Sequence, residues 1–199
     1  MRAVLAPAVV AALLLSGCSS DSGEDPVQQP PAAQPAEQTP ATPQTHQWGQ
    51  AATVTGAEGG QLKVTPLGVL YHRGPYRGVD GPANGWFVAI ALRIEALDRQ
   101  DRLVAPAEGG GWGWRSGEQQ IDTIDGNATS TPWVGEVPEF GDPILPGKPQ
   151  AGVVTFDVPA KGGELQYTSA DGVVTSWRVP AAATGSGLEK VRQRIKLFT

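Results

Sequence analysis

The chain has 199 residues, of which 20 are Asp or Glu and 15 are Lys or Arg, with a formal net charge of −5, six tryptophans and a single cysteine. The acidic balance argues against a nucleic-acid partner, because proteins that bind phosphate backbones carry a basic footprint. A lone cysteine excludes an intramolecular disulfide, so packing alone has to hold whatever folds.

Met1-Arg2 is a minimal cationic start, and Ala3 to Leu15 is an apolar run interrupted only by Pro7. The run is too short to span a bilayer as a helix and suits the core of a signal peptide. It ends in Leu15-Ser16-Gly17-Cys18, which resembles the lipobox of bacterial lipoproteins. That resemblance implies that residues 1–17 are a lipoprotein signal peptide and that Cys18 carries a diacylglyceryl group, making it an anchor rather than a nucleophile. Each buried methylene contributes about 0.8 kcal/mol, so two acyl chains hold a protein stably where one holds it marginally. The expected address is the cell membrane, lipid-anchored on the extracytoplasmic face, with the membrane itself as a partner through the lipid on Cys18.

From Ser19 to Gln47, prolines 26, 30, 31, 35, 40 and 43 sit among Gln, Ala, Thr and Ser, with almost nothing apolar to bury. Residues 18–47 therefore read as the lipidated cysteine followed by a disordered, partly polyproline II linker. At about 3.1 Å per residue it would reach on the order of 90 Å. Its charges are Asp21, Glu24, Asp25 and Glu37, so an anionic lipid surface should repel it.

Residues 48–180 form the expected folded domain. Ala51 to Thr55 is a short strand, and Glu58-Gly59-Gly60 turns into a second one, Leu62 to Tyr71. There the apolar parity slips from Leu62 and Val64 to Leu67, Val69 and Tyr71, which predicts a β-bulge or an edge position at Pro66. His72 to Gly85 is a long Gly- and Pro-rich loop. Trp86 to Leu97 follows, with Trp86, Val88, Ile90, Leu92, Ile94 and Ala96 on one parity and Phe87, Ala89, Ala91, Arg93 and Glu95 on the other, the signature of a strand with one buried face. The chain must cover that face. Leu103 to Ala105 is expected as a further short strand, then Gly109 to Trp114, a turn at Arg115 to Glu118, and a return strand from Gln119 to Thr123. After another long connection, Ala151 to Pro159 alternates Val154, Phe156 and Val158 inward. Asp171-Gly172 is a hairpin signal joining Glu164–Ser169 to Val173–Val179, which puts Val173, Thr175, Trp177 and Val179 on one face. Seven to eight short strands without helical periodicity read as an all-β sandwich.

Leu145-Pro146-Gly147-Lys148, followed by the segment from Gly152 through Phe156-Asp157-Val158-Pro159, resembles the closing signature of the immunoglobulin-like DUF4352 family of bacterial lipoproteins, the MPT63-like family. In that family a strand of the Trp86–Ala96 kind precedes a hairpin of the Trp112–Asp122 kind. This chain has Leu97-Asp98 where the family often has an Asn. The resemblance implies an immunoglobulin-like β-sandwich outside the cell, and no known reaction.

Residues 181–199 are a basic amphipathic tail. Ser186 with Glu189 fits a capping box, and Leu188, Val191, Ile195 and Phe198 make a helical stripe opposite Lys190, Arg192, Arg194 and Lys196. A strand also fits, because the four cations share a parity; the cap favours a short C-terminal helix. Such a segment either docks on an anionic surface or frays or packs against its own sandwich.

Signatures of catalysis are absent from the sequence: there are two histidines, His46 in the linker and His72 in a loop, and no nucleophile elbow or paired-His metal motif. Asp122, Asp125 and Asn127 fit turn polarity better than a calcium loop. No cofactor is implied. Trp112, Trp114 and Trp133 lie in Gly-rich or Pro-flanked contexts and are the candidate ligand contacts, with core packing the alternative that the shared parity of Trp112 and Trp114 offers. The expected function is a non-catalytic contact module for an extracellular protein or cell-wall polymer, the alternative being a lipoprotein that binds wall polysaccharide or a small ligand through those tryptophans.

Overall fold

The protein is described by a computed structural model over residues 44–74, 81–122 and 143–196. Among the described residues, ten strands build two sheets. In the first, β1 (Gln44–His46), β9 (Val174–Val179), β8 (Gly163–Thr168), β5 (Gly111–Ser116) and β6 (Gln119–Asp122) lie side by side in that order. In the second, β10 (Thr184–Gly185), β3 (Gln61–His72), β4 (Trp86–Ala96) and β7 (Gln150–Val158) are neighbours, and β2 (Ala52–Thr55) shares with β10 the free edge of β3. An α-helix, α1 (Leu188–Lys196), follows. This is the all-β sandwich that the alternation predicts, with the short C-terminal helix that the Ser186 and Glu189 pattern favours.

β4 is the centre of the second sheet, paired with β3 on one side and β7 on the other. Its Val88, Ile90, Leu92 and Ile94 are fully buried between the sheets, facing Trp114, Leu165, Tyr167 and Trp177 from the first. A strand flanked on both edges and apolar on the inner face can only be central. Its outer face is covered as well. Ala89 and Ala91 pack with Val191 of α1 and with Leu67, Leu70 and Val153, and exposure begins only at Arg93. The tail is thus a cover plate on the sandwich.

The bulge falls where the parity slips. The β3–β4 register jumps between Pro66 and Gly68, and Leu67, the extra residue, leaves the inter-sheet core for the cluster under α1. Proline has no N–H to give the ladder, so the register breaks there at little cost. Gly68 then admits the tail. A Cβ at Gly68 would lie 2.7 Å from the Leu188 nitrogen, and one at Gly187 would lie 2.8 Å from the Ala91 Cβ. With β10 pairing on Val69 and Gly68, and the Gly187 N–H donating to the Leu67 carbonyl at 3.1 Å, α1 is seated on small residues.

Four expectations need correction. Leu103–Ala105 is not a strand, although Leu103 and Val104 are buried, because side chains take the amides a ladder would use: Val104 N–H donates to the Tyr167 hydroxyl at 2.9 Å and Ala105 N–H to the Glu108 carboxylate at 2.8 Å. One turn of 3-10 helix follows at Pro106–Glu108. The fold starts before Trp48, since Gln44–His46 pair in parallel with β9 and the His46 ring sits 6.0 Å from Trp177. It also continues past Pro180 through β10 and α1. Finally, α1 begins at Leu188, one position beyond the start that a Ser186 cap implies.

Candidate functional site

Because β4 lies between β3 and β7, the end of β3, the start of β4 and the end of β7 come together at one end of the sandwich. His72 is paired with Phe87, and Trp86 with Val158. Just beyond β3 stands Arg73, and just beyond β7 the turn to β8 carries Lys161. The Arg73 guanidinium carbon lies 3.8 Å from the Trp86 ring centre and the Lys161 ammonium 4.0 Å from it, with the Tyr71 ring 5.8 Å from the same ammonium. Arg73 and Lys161 are exposed and Trp86 is half-buried. Each cation is held by the negative face of the indole, an attraction of about 0.5–1 kcal/mol where water is present.

Buried polar groups frame this end. The Tyr71 hydroxyl donates to the Pro180 carbonyl at 2.8 Å and accepts from the Gly162 N–H at 3.0 Å, tying the Lys161 turn to the segment after β9. Burial pushes the Tyr71 phenol above its ordinary pKa despite that amide, so the hydroxyl keeps its proton. Asp157 is 2% exposed, and its carboxylate accepts from the amides of Ala83 at 2.6 Å and Asn84 at 3.0 Å, while the Asn84 side chain donates back to the Asp157 carbonyl at 3.2 Å. A carboxylate taken out of water costs several kcal/mol unless charge-assisted bonds replace its hydration, and these amides do so. The approach to Trp86 is fixed from both sides. Burial lowers the His72 pKa to about 4, so its imidazole, 5.4 Å from the Phe87 ring, is neutral at pH 7.

The opposite end is a structural knot. Buried Asp101 accepts from the amides of Glu58 and Arg102 and from Gly60, closing the β2–β3 turn against the segment after β4. The Arg102 guanidinium donates to Glu108 from both terminal nitrogens, at 2.8 and 2.6 Å, and with the Ala105 amide holds that exposed carboxyl down at about 2. Among the described residues no group of three His, Cys, Asp or Glu is placed to hold a metal ion.

Of the candidate tryptophans, Trp112 and Trp114 lie in the core. Trp112 is 2% exposed and Trp114 not at all; their rings pack against Tyr167 at 4.9 Å and Phe156 at 6.0 Å respectively, so neither indole face reaches solvent. This corrects their reading as ligand contacts, and the shared inward parity is the reason. Trp133 and Cys18 lie outside the described residues. The ring that does meet charged groups at the surface is Trp86, which the alternation assigns wholly to the core. Its flanking cations come from two distant connections, and the one signal they left in the sequence is a basic residue beside glycine in each, Arg73-Gly74 and Lys161-Gly162.

No protein-family model matches the chain, and a search of the curated proteins finds no match. The likeness to DUF4352 therefore rests on the Leu145–Pro159 residues themselves. Among solved structures, the chain is similar to MPT63, a secreted protein from Mycobacterium tuberculosis, at 17% identity and a TM-score of 0.47, over 69% of this chain and 98% of that one.

Proposed function

We propose that the protein is a non-catalytic, lipid-anchored immunoglobulin-like module of the DUF4352 kind on the extracytoplasmic face of the membrane, where it contacts an extracellular protein or an envelope polymer. The observation that carries this reading is Leu15-Ser16-Gly17-Cys18, with Cys18 the chain's sole cysteine, placed between an apolar signal core and a proline-rich stretch. A thiol that can form no internal disulfide and follows a lipobox is spent on the anchor. The sandwich supports a contact role because its buried polar groups, Asp101, Asp157, Tyr71 and Tyr167, are committed to backbone partners. The alternative, binding of wall polysaccharide or a small ligand through Trp112, Trp114 and Trp133, is weakened because two of its three rings are buried in the core.

Metabolic labelling with an alkyne fatty acid, followed by mass spectrometry, tests the anchor. Label is expected on Cys18, and Cys18→Ser is expected to lose it and to leave the membrane fraction. An unlabelled chain, or a Cys18→Ser variant that stays with the membrane, overturns the reading.

A further inference from the structure

The cations over Trp86 are set apart by the ring they share, and they differ from the ion-paired cations on this surface. Lys63 and Arg93 meet Glu95, Arg102 meets Glu108, and Arg115 meets Glu164, each within ion-pair distance. Arg73 and Lys161 have no carboxylate partner among the described residues and share one indole instead. Being tied to the same ring, the two charges lie within roughly one screening length, about 8 Å at physiological salt, so each raises the potential at the other. Like charges held together without a counter-ion cost stability, and an arriving anion relieves that cost. The frame is also prepared in advance. Tyr71 fixes the turn that presents Lys161, and Asp157 fixes the residues that lead into Trp86, so little order has to be imposed when a ligand arrives.

We propose that Arg73, Trp86 and Lys161 form a binding site for an anionic envelope polymer bearing repeated phosphate or carboxylate groups. The Arg73 guanidinium is a planar fork that takes two oxygens of one anionic group, the Lys161 ammonium is a point charge for the next, and the half-buried indole beside both offers an apolar surface to the carbon skeleton linking them. Two adjacent cations match a repeating anion better than a single one, so orthophosphate competes poorly. Neither the pair of cations nor the ring dictates a sequence of sugars; recognition is by charge spacing. The proposal rests on the contact role argued above and names the chemistry of the contact.

The test titrates inorganic polyphosphate and, separately, polygalacturonate against the purified chain, following tryptophan fluorescence between about 50 and about 200 mM salt. At least one polymer is expected to bind, with the preferred arm telling phosphate from carboxylate. Arg73→Gln with Lys161→Gln is expected to weaken binding by roughly tenfold or more, and each single change to reduce the salt slope by about one. Lys161→Arg should retain binding. Lys190→Gln with Arg192→Gln removes the same charge from α1 and should leave the affinity within about twofold, since it spares the site. Thermal unfolding checks that the exposed substitutions leave the fold intact. The proposal is overturned if neither polymer binds, if the α1 variant loses as much affinity as the site variant, or if phosphatidylglycerol vesicles bind in a way that depends on Arg73 and Lys161 while both polymers do not. Failure here with Cys18 acylated removes the site and keeps the anchor; polymer binding with Cys18 unacylated does the reverse.

Discussion

Replacing Trp114 and Trp177 by Phe, one at a time, should give two different stabilities, although both rings are fully buried. In either case the smaller ring leaves roughly 40 Å³, which at about 24 cal/mol per Å³ costs on the order of 1 kcal/mol, with about 1 more for lost apolar transfer. The indole nitrogens then separate the two. Trp177 Nε1 donates to the Gln50 carbonyl at 2.9 Å, and losing that bond adds about 0.5–1.5 kcal/mol. Trp114 Nε1 is buried with no hydrogen-bond partner among the described residues, so Phe removes an unsatisfied donor whose burial costs about 1–3 kcal/mol. Trp177→Phe should therefore lose about 3 kcal/mol and Trp114→Phe no more than about 1. Urea unfolding with matched m-values reads the difference directly as a shift of midpoint. Equal losses would refute the reasoning, because they would mean that the Trp114 N–H is satisfied in the folded chain.

Gly68→Ala puts a Cβ 2.7 Å from the Leu188 backbone nitrogen, where no flexible side chain can yield; a loss of about 1–3 kcal/mol is expected, and amide hydrogen exchange in α1 should quicken before that in β4. The same exchange pattern in wild type would show that α1 is not seated on β3. His72 titrates at about 4 in the folded chain against its ordinary value of 6.5, so the unfolded chain takes up the proton first. The stability this gives is complete above about pH 6.5 and is lost as the pH falls toward 4. His72→Phe should flatten the wild-type loss of urea midpoint across that window, and parallel pH curves for the two proteins would sink the assignment.

Local signals carried most of the strand order. The parity slip at Pro66 marks a real bulge, and Asp171-Gly172 a real hairpin, because both depend on the dihedral and hydrogen-bond limits of one or two residues. What the sequence concealed is decided by partners far along the chain. Gln44–His46 has no apolar residue to announce a strand; it becomes one because β9 offers an open edge. Leu103–Ala105 has the composition of a strand and is denied the role because Tyr167 and Glu108 reach its amides first. Trp112 and Trp114 look like loop residues because glycines surround them. Yet Gly113 sits between them on the opposite parity, where a Cβ would come within 3.0 Å of the Gln120 side chain, so that glycine relieves the outer face while the indoles fill the inner one.

The site at Trp86 was hidden for a reason that alternation cannot overcome. Period two tells which face of a strand is buried, but says nothing about its first residue, where the sheet ends and both faces meet solvent. Whether Arg73 and Lys161 approach each other depends on β4 lying between β3 and β7, a matter of sheet order that no window of residues encodes. Given that order, the connection after β3 and the turn after β7 converge on the residue that opens β4, whatever that residue is. A small side chain there would let two exposed cations drift apart in water. An indole holds both, at 3.8 and 4.0 Å, and so turns a topological coincidence into a fixed pair of positive charges.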